Sequence, residues 1–310
     1  MGYPRRRIML LKLVNKVRKK NEKNISLQEI AKNEWHFVYG ETFGTLIMDV
    51  FDGACDELDN GEYDVASIVF QQLINEVPEF VDAYNHLALI SLWSGQDKQA
   101  QLILEEGIEK AINLFPDNFF EEQNRLEWGW IDNRPFLRSY ANLGIFYFDN
   151  KSFDKAKFIF ERILIMNPND NQGVRDPLLN CYLKLGLLDA ASALCDRYRQ
   201  DFLVGIKYGR VLVLYQQGKQ KEAQKQLISA MRYSPLVAKE LIKLKHIKPK
   251  NYGKGPGIAL GSQEEAYEYW SYYGKLWKST SGAITFVKKC IESSRKKIKN
   301  DEEEKNASTH

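Results

Sequence analysis

Hydrophobic positions along most of this chain recur every three or four residues, the spacing that gathers them on one face of an α-helix. In NGEYDVASIVFQQLINEVP, Gly61 is followed at that spacing by Tyr63, Ala66, Phe70 and Leu73, and Pro78 closes the run. The same order returns in NKSFDKAKFIFERILIMNP as Phe153, Ala156, Phe160, Ile163 and Pro168. Three more copies follow it: SGQDKQAQLILEEG (Gly95, Ala100, Leu104), LGLLDAASALCDRY (Gly186, Ala191, Cys195) and QGKQKEAQKQLISAMRYSP (Gly218, Ala223, Leu227, Pro235). The alanines step by 34 from 66 to 100, by 35 from 156 to 191 and by 32 from 191 to 223. The pattern predicts helix pairs. Glycine accepts the left-handed conformation that ends a first helix, alanine lets the second approach closely, and proline stops it. The first helices carry stripes of their own, Tyr84 and Leu87 in one, Tyr140, Leu143, Gly144 and Tyr147 in the next. One pair cannot bury its own apolar face, so the copies are expected to stack into a continuous core.

This order of residues resembles the tetratricopeptide repeat. The copies fall at 47–80, 81–116, 137–170, 172–203 and 204–237. The resemblance implies an all-α, right-handed helical solenoid over 47–247, with one inserted loop at 117–136 and no cofactor. The fourth copy departs from the pattern, with Arg175 where a bulky residue usually sits and Pro177 in the helix's first turn, where a missing N–H costs little. A narrower resemblance, carried by WGWIDNRPFLR, NPNDNQGVR and SQEEAYEYWSYYGKLWKSTSGAITFV, is to a family of mostly bacterial tetratricopeptide-repeat proteins. It covers most of residues 45–290, implies one architecture for the chain and brings no activity with it.

The flanks change the picture more than the bulk composition does. At 310 residues and 44% apolar the chain can bury a sizeable core. Residues 1–24 hold nine Lys and Arg against Glu22 alone, whereas the whole chain is only +3, so the remainder is net acidic. A basic segment of this kind suits an anionic membrane surface, nucleic acid or an acidic partner, but its first reading is a solvated or frayed helix. IMLLKLV is broken by Lys12 and lacks a cleavage site, so it does not read as a signal peptide, whereas an Arg-rich mitochondrial presequence fits the same composition. No stretch of about eighteen apolar residues is present. Cys55, Cys181, Cys195 and Cys290 form no CxxC pair and read as reduced thiols of a cytoplasmic protein. Residues 25–46 are expected as a helical lead-in, 248–261 as a Gly-Pro linker, 262–297 as two aromatic helices capping the stack, and 298–310 as a charged, disordered tail. Ser262 with Glu265 three residues on is a capping-box pattern.

The stretch RLEWGWIDNRPFLR, 125–138, supports two readings. In one, Trp128 and Trp130 plug a groove or cover a seam while Arg134 and Arg138 pair with Glu121 or Glu122. In the other, the tryptophans line a binding surface and the arginines grip a partner carboxylate. In NPNDNQGVR, Asp170 or Asn171 is placed to cap the next helix, and Arg175 to face the groove or to pair with Asp170 or Asp176.

No catalytic constellation stands out. GKGPG lacks the GxxxxGK[ST] order, no GxSxG elbow occurs, and the histidines show no HExxH spacing, so the chain reads as a non-enzyme without a metal site. Tetratricopeptide domains that bind chaperone C-terminal tails place Lys and Asn in one first helix, Asn in the next and Lys or Arg in the third, at the fifth and ninth places counted from each copy's start. Here those places carry Phe51 and Cys55 in the first copy and Ala141 and Ile145 in the third, which disfavours that partner. The inner face instead offers Asn85, His86, Arg138, Asn142, Asp176, Asn180, Tyr208 and Tyr215, a set suited to holding a peptide. Expected functions are an adaptor binding a partner's peptide segment in the groove, or a spacer attached through residues 1–24. An enzyme using the loop's arginines on a small anion is the remote third.

Overall fold

The computed structural model describes residues 25–40, 46–254 and 257–294, so the basic segment 1–24 and the tail 298–310 lie outside the described residues. The described chain is mostly helical, of the repeat class the sequence predicts. Where the sequence reading has one continuous stack, the chain divides into two compact units, Met1–Val174 and Arg175–His310.

The first unit opens with a β-hairpin, β1 (Ile25–Ala31) and β2 (Glu34–Tyr39), where a helical lead-in was expected. The two strands are antiparallel, in register from Ile25 opposite Tyr39 to Ala31 opposite Glu34, with an irregularity between Glu29 and Ala31. The physical reason is local. Trp35, Phe37 and Tyr39 alternate at the two-residue period of a strand, aromatic residues favour pleated surfaces, and Asn33 takes a left-handed φ of 62° in the turn. Phe37 is the residue of β2 that is buried.

Three helix pairs follow: α1 (Met48–Asp59) with α2 (Tyr63–Glu76), α3 (Val81–Trp93) with α4 (Asp97–Ile112), and α5 (Arg134–Asp149) with α6 (Phe153–Met166). Ala66, Ala100 and Ala156 of the second helices are each 0% exposed, which is what a close helix crossing requires of a small side chain. Gly144 of α5 meets the same demand from the other side, since a Cβ there would lie 2.5 Å from Phe160 Cε1. Between the helices of the third pair, Lys151 holds the left-handed turn at φ 61° that glycine holds elsewhere.

The second unit holds α7 (Arg175–Lys184), α8 (Leu188–Arg197), α9 (Val204–Gln216), α10 (Gln220–Tyr233), the short α11 (Pro235–Leu241), α12 (Gln263–Ser279) and a last helix, α13, over 283–294. Ala191 and Ala223 are again 0% exposed. Ser262 caps α12, its hydroxyl accepting from the Glu265 N–H at 3.0 Å, while the Glu265 carboxylate reaches back to the Gly261 N–H at 2.8 Å. Arg175 forms an ion pair with Asp201, a partner that sequence proximity did not suggest. Asp170, in the first unit, accepts from the Val174 N–H at 2.9 Å, one of the two caps expected there.

Candidate functional site

In the first unit, α3 and α5 lie side by side, and between them a hollow of about 470 Å³ opens, with α4 at its back. Asn142 Nδ2 donates to Asn85 Oδ1 across it at 2.8 Å, so two of the expected groove residues are brought together. Asn85 is 3% exposed, which fixes its amide, and Asn142 is half-buried. Ala88, Leu89 and Leu92 from α3 and Ile145 and Phe146 from α5 make the rest apolar. Two residues that the sequence reading missed rim the hollow, Asp97 at the start of α4 and Asp149 at the end of α5. Neither has an ion-pair partner among the described residues. Asp149 sits at a helix C-terminus, where the backbone dipole opposes an anion, and desolvation pushes its carboxyl above the ordinary value. These two acids stand fifty-two positions apart and come to line one hollow through helix pairing.

The other two expected residues of this unit do something else. His86 stands between the rings of Phe51 and Phe70, at 5.0 and 5.4 Å, with Nδ1 2.8 Å from the Asp82 carbonyl. Its position on α3 turns it toward the preceding pair and away from the hollow. Arg138 Nη2 lies 3.1 Å from Asp82 Oδ2 and so holds α5 to α3. Asp82 is 6% exposed, and desolvation outweighs Arg138 and His86 in setting its carboxyl pKa, which is raised. Tyr39 of the hairpin lies beside this pair and donates to the Asp132 carbonyl at 3.3 Å. The hairpin thus closes the end of the α3–α5 face where both helices begin and leaves open the end where they finish.

In the second unit the equivalent face is filled by the chain's own α12. Tyr273 donates its hydroxyl to Asp176, at 2.9 Å from the carbonyl and also to the carboxylate. Asn180 Nδ2 donates to the Tyr272 carbonyl at 3.0 Å. Tyr208 is 0% exposed, donates to the Ser234 carbonyl at 2.6 Å and meets the Tyr269 ring at 5.6 Å. Tyr215 donates to the Ser281 carbonyl at 3.1 Å and lies against Phe286. The expectation that Asp176, Asn180, Tyr208 and Tyr215 face a partner is therefore corrected: they hold α12 and the segment after it. The signal was present in the four-residue steps Tyr269, Tyr273, Trp277 on α12 and Gly205, Gly209 on α9. A Cβ on Gly205 would lie 2.0 Å from Asp176 Oδ2, so the absent side chain makes room for that carboxylate.

The insert holds the hairpin in place. Asn133, 0% exposed, accepts from the Phe37 N–H at 2.9 Å and donates to the Trp35 and Glu127 carbonyls at 3.3 and 3.0 Å. Asn124 accepts from Trp35 Nε1 at 3.1 Å and donates to the Phe119 carbonyl at 3.0 Å. The Trp35 N–H donates to the Arg125 carbonyl and the Arg125 N–H to the Asn33 carbonyl, and the Leu126 N–H donates to the Met166 carbonyl at the end of α6. Arg134 Nε donates to the Trp128 carbonyl at 3.0 Å, with its guanidinium 5.4 Å from that indole, so neither Arg134 nor Arg138 takes Glu121 or Glu122 as partner. Trp128 is half-buried. Trp130 is 47% exposed with its edge on His36.

No group of three or more His, Cys, Asp or Glu among the described residues could hold a metal ion. Burial pushes the Cys55 and Cys195 thiols up to about 12, far from thiolate chemistry. No helix among the described residues is long and apolar enough to cross a membrane.

Residues 137–170, which run from early in α5 to just past α6, match the family model for the tetratricopeptide repeat. This segment is a tetratricopeptide repeat. Solved structures similar to the chain include YrrB, a TPR protein with an unusual peptide-binding site, at 16% identity and TM-score 0.45, with 62% of this chain and 92% of that one covered. Another is PilF of Pseudomonas aeruginosa, at 14% identity and TM-score 0.41, covering 77% and 95%. MamA of AMB-1 matches at 20% identity and TM-score 0.43, covering 58% and 94%. No curated protein matches the sequence. Stacked tetratricopeptide helix pairs serve as protein–protein interaction scaffolds, because each added pair extends a binding surface.

Proposed function

We propose that this chain is a non-enzymatic adaptor that holds an extended segment of a protein partner on the α3–α5 face of its first unit. The observation that carries the reading is the open, amide-bearing hollow there, set against the self-filled equivalent in the second unit. The Asn85–Asn142 pair supports a grip on a peptide backbone, because an amide can donate and accept at once. Leu89, Leu92 and Ile145 suit an aliphatic side chain, and the unpaired carboxylates of Asp97 and Asp149 suit a Lys or Arg beside it. Association would relieve Asp149 of its unfavourable position at the helix end.

The test is affinity capture from native lysate by the full-length chain, followed by titration of the captured partner's minimal peptide. Asn142→Ala and Asp149→Asn should each weaken that peptide by about tenfold, the loss of one good polar contact, with the melting temperature unchanged in Asp149→Asn and lowered in Asn142→Ala, where the buried Asn85 loses its donor. A peptide bound equally well by both variants would remove this face from the function.

A further inference from the structure

We infer that the first unit carries a second docking site, on the opposite side of α5, for an acidic protein segment bearing an aromatic or aliphatic side chain. Asn142, Ile145 and Asp149 share one side of α5, whereas Tyr140, Leu143 and Tyr147 share the other, because a helix repeats every 3.6 residues. On that other side a hollow of about 420 Å³ opens between the end of α4 and the outer face of α6, with Ile112, Leu143 and Ile159 among its walls. Such a volume suits one large side chain.

The chemistry around the hollow is directional. Lys155, Phe158 and Arg162 lie at three- and four-residue steps along α6 and line it together. Phe158 is 50% exposed, a large apolar ring that the helix pair does not need for its own burial. The Arg162 guanidinium lies 4.0 Å from the Phe120 ring centre and 4.1 Å from that of Phe158. It has no ion-pair partner among the described residues. Rings stacked on a guanidinium leave its N–H edge open, and that edge is the one that takes a carboxylate in bidentate fashion. Lys155 adds a second cation 4.8 Å over the Tyr147 ring. The nearby Glu105 is already engaged by Gln101 and by the Tyr147 hydroxyl, which leaves Asp154 as the acid lining the hollow against two cations. Exposed aromatics joined to arginine are what protein interfaces select, so the occupant is a protein segment with carboxylates flanking its apolar anchor. This charge preference is opposite to that of the α3–α5 face.

The probe is a fluorescein-labelled peptide, Gly-Glu-Asp-Phe-Glu-Asp-Gly, titrated by anisotropy against the full-length chain, with Gly-Lys-Arg-Phe-Lys-Arg-Gly as the charge-reversed comparison. The acidic peptide should bind saturably. Arg162→Met, which keeps the stem beneath the rings, should weaken it by about tenfold or more, and the exposed Lys155→Gln by about threefold. Asn142→Ala should leave it unchanged, which separates this site from the one on the other side of α5. No saturation by about 1 mM, equal binding of the two peptides, or binding indifferent to both Arg162→Met and Lys155→Gln would overturn the proposal. So would loss of the acidic peptide in Asn142→Ala, since it would place that peptide on the α3–α5 face. Should Arg162→Met melt early, Lys155→Gln alone decides, because its side chain is at the surface.

Discussion

Asp176 shows how far a single position in the sequence can mislead. Its place on the first helix of a repeat suggests a polar residue facing a partner, yet its carboxyl is turned inward, pressed against the backbone of Gly205 and bonded by Tyr273. Burial pushes its pKa up from the ordinary value near 3.8 to about 6, against the lowering effect of the Tyr273 hydrogen bond. The sign of the pH effect follows. The folded state takes up this proton more readily than the unfolded chain, so the stabilising contribution is complete below about 3.8 and is lost as pH rises through about 6. Urea unfolding should therefore show up to about 3 kcal/mol less stability from this group at pH 7 than at pH 4, a gap of roughly two pKa units. In Asp176→Asn that slope should flatten between those values. An identical slope in both proteins would mean that the carboxyl is not turned inward as described. Asp97 and Asp149 failed in the opposite sense, since nothing in their local sequence marks two acids that line one hollow only when α4 and α5 assemble around α3.

At the scale of elements, the helix pairs were legible because their signals are local and repeated. The alanines 66, 100, 156, 191 and 223, picked out by spacing alone, are all fully buried at helix crossings. The hairpin was not legible. Its two short strands carry a two-residue period over too few positions to compete with a helical frame, and their stabilising partners lie about ninety residues away in the insert. The stretch 125–138, for which the sequence supports a structural and a binding reading, is where this happens. Asn133 closes three hydrogen bonds to the hairpin and the insert, and Pro135 then opens α5 in its first turn. Asn133→Ala leaves the buried Phe37 N–H without an acceptor and should cost about 3 kcal/mol in chemical denaturation. A cost under about 1 kcal/mol, within the range of a surface substitution, would show that the insert does not hold the hairpin.

At the scale of the whole molecule, the two units use one kind of helix face in two ways. The first keeps a hollow between α3 and α5 with amides and unpaired acids around it, whereas the second closes its counterpart with α12. The aromatic density of residues 262–277 was legible as a contact face. Which surface it would cover was not, because Gly205 and Gly209 reveal their purpose only beside the rings of α12. On the adaptor reading, of the two equivalent faces it is the first unit's, between α3 and α5, that receives the partner. Hydrogen exchange with mass spectrometry on the full-length chain, with and without its captured partner at saturation, tests this most directly. New protection is expected across 81–93 and 134–149 and none in 175–184, 204–216 or 263–279. Protection of 175–184 and 204–216, with faster exchange in 263–279, would contradict that reading, because the partner would then be displacing α12.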